Sequence, residues 1–85
     1  MPPTLEQVRT LFADVVGAEP PDDDADLIAA GLIDSLALVE LLFALEQRIG
    51  IEIPLEMLDI ERFRTIERLA ALVDECREHD ASDAA

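Results

Sequence analysis

Apolar residues recur along this chain at helical spacing in three stretches, with breaks between them. Leu5, Val8, Phe12 and Val15 follow at i, i+3, i+7 and i+10, which predicts one helix face reaching to about Val16. Pro2-Pro3 and Thr4-Leu5-Glu6-Gln7 read as its start, with Thr4 as N-cap and Gln7 completing a capping box, and Gly17 ends it. A second helix is predicted from Ser35 to about Arg48, with Leu38, Leu41, Leu42, Leu45 and Ile49 as its packed stripe and Gly50 as C-cap. Thr65 caps a third, whose inner face carries Ile66, Leu69, Leu72 and Val73.

The connections read differently. Residues 18–25 hold Pro20, Pro21 and Asp22-Asp23-Asp24 and predict an exposed loop, after which Asp26 to Gly31 form a short turn that drops Leu27 and Ile28 into the core. Ile51-Glu52-Ile53-Pro54 alternates like a strand, but it is short, ends in proline and has no pairing partner. It is expected as an extended connector that buries Ile51 and Ile53. Pro54 to Arg64, with Leu55, Leu58, Ile60 and Phe63, predicts one short, irregular helix. The result is an all-α domain over residues 1–78, three longer helices and one short one. Residues 79–85 are polar or small and are expected to form a disordered tail.

Eighty-five residues without Trp or Tyr leave a core of Leu, Ile, Val and Ala with three phenylalanines, near the size where one core is only just sufficient. A catalytic pocket with its own lid is hard to fit, so a partner of enzymes is expected rather than an enzyme. Twenty acidic residues against 6 basic ones, a net charge of −14, argue against nucleic acid and anionic lipid as partners. Such a field steers the chain toward basic patches on other proteins within a Debye length of about 8 Å. No apolar run has the length of a membrane span and the N-terminus lacks a basic region followed by an apolar one, so a cytoplasmic protein, a monomer when free, is expected. All six basic residues are arginine, and Cys76, the single cysteine, is expected as a packing residue.

Other chemistries fit poorly. Asp22, Asp24 and Asp26 have the spacing that opens a calcium loop, but the turn glycine is replaced by Leu27 and the bidentate glutamate by Ile33. A solvated acidic loop is the better reading, and a small calcium-binding regulator is disfavoured. His79 has no Cys or His at metal spacing, and a hydrolase triad has no histidine outside the tail.

Gly31-Leu32-Ile33-Asp34-Ser35-Leu36 places a serine directly after an acid, where a turn hands over to the apolar helix. Unpaired N–H groups and the helix dipole favour a phosphate at that point. By itself a serine there is an N-cap. Val39 and Phe43 lie on a face rotated from the packed stripe and adjoining Ser35. Either this helix is apolar most of the way round as the centre of a bundle, or Phe43 is an exposed spot ringed by Glu40, Glu46 and Gln47.

Asp34-Ser35-Leu36, with the run from Gly31 to Pro54 and Phe63-Arg64-Thr65, resembles the acyl and peptidyl carrier proteins, in which such a serine is esterified by 4′-phosphopantetheine. Gly-Leu-Ile-Asp-Ser is closest to stand-alone carriers, such as the D-alanyl carrier of teichoic-acid synthesis and discrete carriers of polyketide and peptide pathways. Ala37 departs from the fatty-acid pattern, and Leu32 and Ile33 depart from the peptide-synthetase one.

The resemblance implies a four-helix bundle without catalytic activity of its own. Ser35 would hold the covalent cofactor, flanked by Asp34 as helix cap, and Leu36, Val39, Glu40, Phe43 and Glu46 would form the partner face. A phosphopantetheinyl transferase, a loading enzyme (an adenylating ligase or an acyltransferase) and a downstream transferase or synthase are the implied partners. The first expectation for cargo is an amino acid or a short acyl unit as a thioester in polyketide or nonribosomal peptide biosynthesis. Nothing in the sequence marks a lined cavity for a long chain. The alternatives are a D-alanyl carrier and an unmodified acidic helical adaptor.

Overall fold

A computed structural model describes residues 3–84 of the chain, and the side chains of residues 4–54 and 56–78. Among them are three α-helices and no strand: α1 (Pro3–Val16), α2 (Ser35–Ala44) and α3 (Ile66–Ala84). The all-α expectation therefore holds. The short fourth helix does not form as one piece. Residues Leu55–Met57 and Ile60–Phe63 make two separate 3₁₀ turns, parted by Asp59 in an extended conformation (φ −131°, ψ 129°). The Asp59 carboxylate accepts the Glu61 N–H at 3.0 Å, and this local bond starts a new turn instead of continuing the old one.

α2 passes without interruption into a wider π-type turn, Leu45–Ile49, which stops at Gly50. The Gly50 φ of +78° is left-handed backbone, open to glycine at no steric cost, and its N–H closes on the Glu46 carbonyl at 3.2 Å. The Glu46 side chain then reaches forward, its Oε2 accepting the Ile53 N–H at 3.2 Å, so the helix end itself holds the extended connector that buries Ile51 and Ile53.

The start of α1 corrects the expected cap. The helix begins at Pro3, where a missing N–H is no loss, and Thr4 lies inside the first turn, almost fully buried. Its hydroxyl donates to Asp74 Oδ1 at 2.8 Å and accepts from Arg77 at 3.1 Å, while Gln7 Oε1 takes the other Arg77 nitrogen at 2.8 Å. Residues expected to cap α1 instead join α1 to α3. Thr65 does cap α3 as expected, its Oγ1 accepting the Arg68 N–H at 3.0 Å. The helix continues to Ala84. The proposed tail over residues 79–85, with His79, falls outside the described side chains.

α1 packs on both α2 and α3. Val8, Leu11 and Phe12 of α1, Leu41 of α2, Leu45 of the turn that continues it, and Ile66, Leu69, Leu72 and Val73 of α3 are buried in one core cluster with Phe63, Ile51 and Ile53. Cys76 is fully buried, its Sγ 3.8 Å from Met57 Sδ. Each of the six arginines binds an acidic, amide or hydroxyl partner: Arg9 with Asp23, Arg48 with Asp14, Arg62 with Glu75, Arg64 with Asp26, Arg68 with Glu61, and Arg77 with Thr4 and Gln7. Exposed pairs contribute at most about 1 kcal/mol each, so they direct connections rather than hold the core together.

Leu45, with no exposed surface where α2 widens, is the sharpest test of that core. Leu45→Ala should cost about 2–5 kcal/mol in urea unfolding, and a loss below about 1 kcal/mol would show that the helix end is not packed as described.

Candidate functional site

Residues between Gly17 and Asp34 have no helix to organise them, so their polar groups are satisfied one at a time. Arg9 of α1 donates to the Pro20 carbonyl at 3.3 Å, the Pro21 carbonyl at 3.2 Å and Asp23 Oδ1 at 2.6 Å. The Asp23 carbonyl accepts the Glu67 N–H at 3.0 Å, near the start of α3. Asp26 Oδ1 then accepts the N–H groups of Ile28 (3.1 Å) and Ala29 (2.9 Å) and shapes the next turn, as the side chain of an Asx turn does. Asp22 and Asp24 are exposed, as expected of a solvated loop, but Asp23 and Asp26 are structural.

Leu27, fully buried, receives the chain. Its N–H donates to the Arg64 carbonyl at 2.7 Å, and its own carbonyl accepts from Leu32 at 3.0 Å and Ile33 at 3.3 Å. Gly31, at φ +76°, reverses the chain between them, a conformation that a side chain would strain. Beyond Ile33 the extended Asp34 caps α2. Its Oδ1 accepts the Ala37 N–H at 2.8 Å and its carbonyl accepts Leu38 at 2.9 Å. The cap is thus Asp34, and Ser35 is the first helical residue, exposed, its hydroxyl not needed to hold the helix.

Beside Ser35 the surface is hollow. One hollow of about 220 Å³ lies between Ile28, Ile33, Ser35, Leu38 and Ile60. A second, about 250 Å³ and almost wholly apolar, shares Leu38 and Ile60 with the first and extends to Val39, Leu42, Leu58 and Phe63. Leu58 and Ile60 come from the irregular segment before α3, and their role had no signature in the sequence.

The partner-face candidates divide. Leu36 (68% exposed), Val39 and Phe43 (58%) project from α2 and leave an apolar strip, with Glu40 exposed among them. This settles the open alternative for Phe43: its side chain is exposed. Glu46 is half-buried and turned toward Ile53. Neither hollow is lined by a basic residue, whereas Asp34 and Asp59 stand at their rims.

A primary hydroxyl at the open start of a helix, where the dipole favours a phosphate, fits a covalent phosphodiester. The fold and site define a small acidic carrier domain. The chain belongs to the phosphopantetheine-binding family, whose "Phosphopantetheine attachment site" model matches residues 6–73, and its cofactor is covalent 4′-phosphopantetheine.

It is 32% identical over 71 residues to the D-alanyl carrier protein of Enterococcus faecalis, covering 81% of this chain and 91% of that protein. To the D-alanyl carrier protein of Leuconostoc mesenteroides it is 31% identical, over 81% and 90%. To D-alanyl carrier protein 1 of Lactiplantibacillus plantarum it is 29% identical, over 87% and 94%. These relatives favour the D-alanyl alternative over the polyketide or nonribosomal peptide pathway first expected from the sequence.

Hydrogen bonds from the Ala29 N–H and then from Arg64 hold the Asp26 carboxyl below the usual carboxylate range. A carboxyl with a lowered folded pKa contributes stability above its unfolded value and loses it as pH falls through the folded one. Asp26→Asn should therefore be less stable than the parent at pH 7, and the gap should shrink as the pH is taken below the normal aspartate range. Urea unfolding at both pH values checks this; a gap independent of pH would contradict it.

Proposed function

We propose that this chain is an aminoacyl carrier without catalytic activity of its own, and that Ser35 Oγ is the oxygen that holds its cofactor. The observation that carries this reading is the exposed serine set directly after the capping Asp34, in a chain whose relatives are D-alanyl carriers. A phosphopantetheinyl transferase would join Ser35 Oγ to the phosphorus of the pantetheine phosphate of coenzyme A. The P–O bond to the nucleotide breaks, and the hydroxyl proton passes to a base on the transferase. The attached arm supplies a terminal thiol that holds the cargo as a thioester.

What this chain contributes is position and surroundings. Asp34 satisfies the helix start and leaves the Ser35 hydroxyl free to react. The helix dipole favours the phosphodiester by about 0.3–1 kcal/mol. Leu36, Val39 and Phe43 offer a partner enzyme an apolar anchor, and Glu40 attracts its basic rim, which mainly speeds encounter. Glu46, expected on this face, would act there only through the helix end it holds. The implied partners are the transferase, an adenylating ligase that loads the thiol, and a transferase that removes the cargo. Since coenzyme A and these enzymes are its partners, we read its place as the cytoplasm.

D-Alanine is the first candidate for cargo, after the relatives' names. Each hollow is smaller than the roughly 300–1,000 Å³ of pockets that enclose drug-sized ligands, which suits a small unit. The apolar lining keeps one second reading in play, a short acyl unit of a polyketide or peptide pathway.

The experiment is sequential loading with intact mass read at each stage. With transferase and coenzyme A the parent should gain one phosphopantetheine, and with its adenylating ligase, ATP and D-alanine it should then gain one alanyl group. Ser35→Ala should gain neither while remaining folded. Modification of that variant would overturn the site, and loading by the cognate ligase with a short acyl acid but no amino acid would overturn the cargo.

A further inference from the structure

We infer that Arg64 is the positioning residue of the attachment serine: it fixes the turn that delivers Ser35 to the transferase. The inference rests on Ser35 being the modified oxygen. Arg64 closes the 3₁₀ turn Ile60–Phe63 and grips the loop with both side chain and main chain. Its Nη1 donates to Asp26 Oδ2 at 2.8 Å, its Nε donates to Glu61 Oε2 at 2.7 Å, and its carbonyl accepts the Leu27 N–H at 2.7 Å.

From residues 26 and 27 the constraint passes on through single hydrogen bonds. Asp26 Oδ1 sets the amides of Ile28 and Ala29, and the Leu27 carbonyl sets those of Leu32 and Ile33. The next residue is the Asp34 cap, and the one after it is Ser35. In the other direction Arg64 ends the turn that begins at Ile60, a side chain common to both hollows beside Ser35. One residue thereby holds the serine's turn and the apolar wall that faces it.

Arginine suits this place because its planar fork donates in two directions at once, to Asp26 and to Glu61, where a lysine ammonium acts as a point charge. The pair is about one-third exposed, so its share of global stability is small, and burial of Leu27, Phe63 and Ile66 already holds the neighbouring core. What the clamp contributes is placement. Transfer to a hydroxyl depends steeply on where the attacking oxygen stands, and the docking strip on α2 does not depend on Arg64.

The test compares the whole protein with Arg64→Met, Arg64→Lys and Asp26→Asn; the last keeps an oxygen for the turn but loses the ion pair. Arg48→Met, which breaks an exposed pair with Asp14 at the other end of α2, is the control. Arg64→Met should lower the transferase kcat by about tenfold or more with KM for the carrier within about twofold, because misplacement rather than docking is at fault. Asp26→Asn should behave like it, Arg64→Lys should fall between, and Arg48→Met should match the parent.

Amide hydrogen exchange reads the clamp without the transferase: Leu32 and Ile33 should exchange about tenfold faster in Arg64→Met while Leu42 is unchanged. Unchanged exchange at Leu32 and Ile33 would overturn the clamp. Faster exchange with unaltered kcat, or an equal loss in Arg48→Met, would overturn the positioning role. Modification of Ser35→Ala would instead defeat the assignment of the serine, which the exchange data do not touch.

Discussion

Leu27 is buried outside any helix, and that constraint organises the half of the molecule that carries the site. A buried residue must have both backbone groups paired, and one in a loop cannot take its partners from a regular ladder. Its N–H is paired with Arg64 from the segment before α3, and its carbonyl with Leu32 and Ile33 from the approach to α2. Three segments that would otherwise be independent therefore meet at one residue. The start of α2, and Ser35 with it, stands where it does because of that meeting.

Charge is divided along similar lines. The chain has a net charge of −14, yet its six arginines each engage a partner of its own chain. No arginine lines the hollows beside Ser35, and the exposed face of α2 combines apolar side chains with Glu40. The negative field is thus uncompensated at the surface a partner enzyme would approach. In the proposed function such a field would speed encounter with a basic partner.

Much of this is legible in the sequence wherever the cause is local. The period of α2, the Thr65 cap, the ends at Gly17 and Gly50 and the burial of Ile51 and Ile53 all depend on neighbours within a few residues. Thr4 escapes such a reading because its partners, Asp74 and Arg77, lie 70 and 73 positions away. The short helix escapes it because the Asp59 carboxylate accepts the Glu61 N–H and divides the apolar run into two turns. The hollows have no trace in the sequence, since Leu38 and Ile60 come from separate segments and no periodicity links them. Glu46, a surface charge by its pattern, holds a connector that has no helix of its own.

In the proposed function, the turn built on Leu27 is what presents the Ser35 hydroxyl for covalent use. Fragmentation mass spectrometry of the protein isolated from its own cells is the decisive measurement. 4′-Phosphopantetheine is expected on the fragment containing Ser35, with Thr4, Thr10, Thr65 and Ser82 unmodified. Finding the group on any of those four residues, or a chain that is never modified, would refute the assignment.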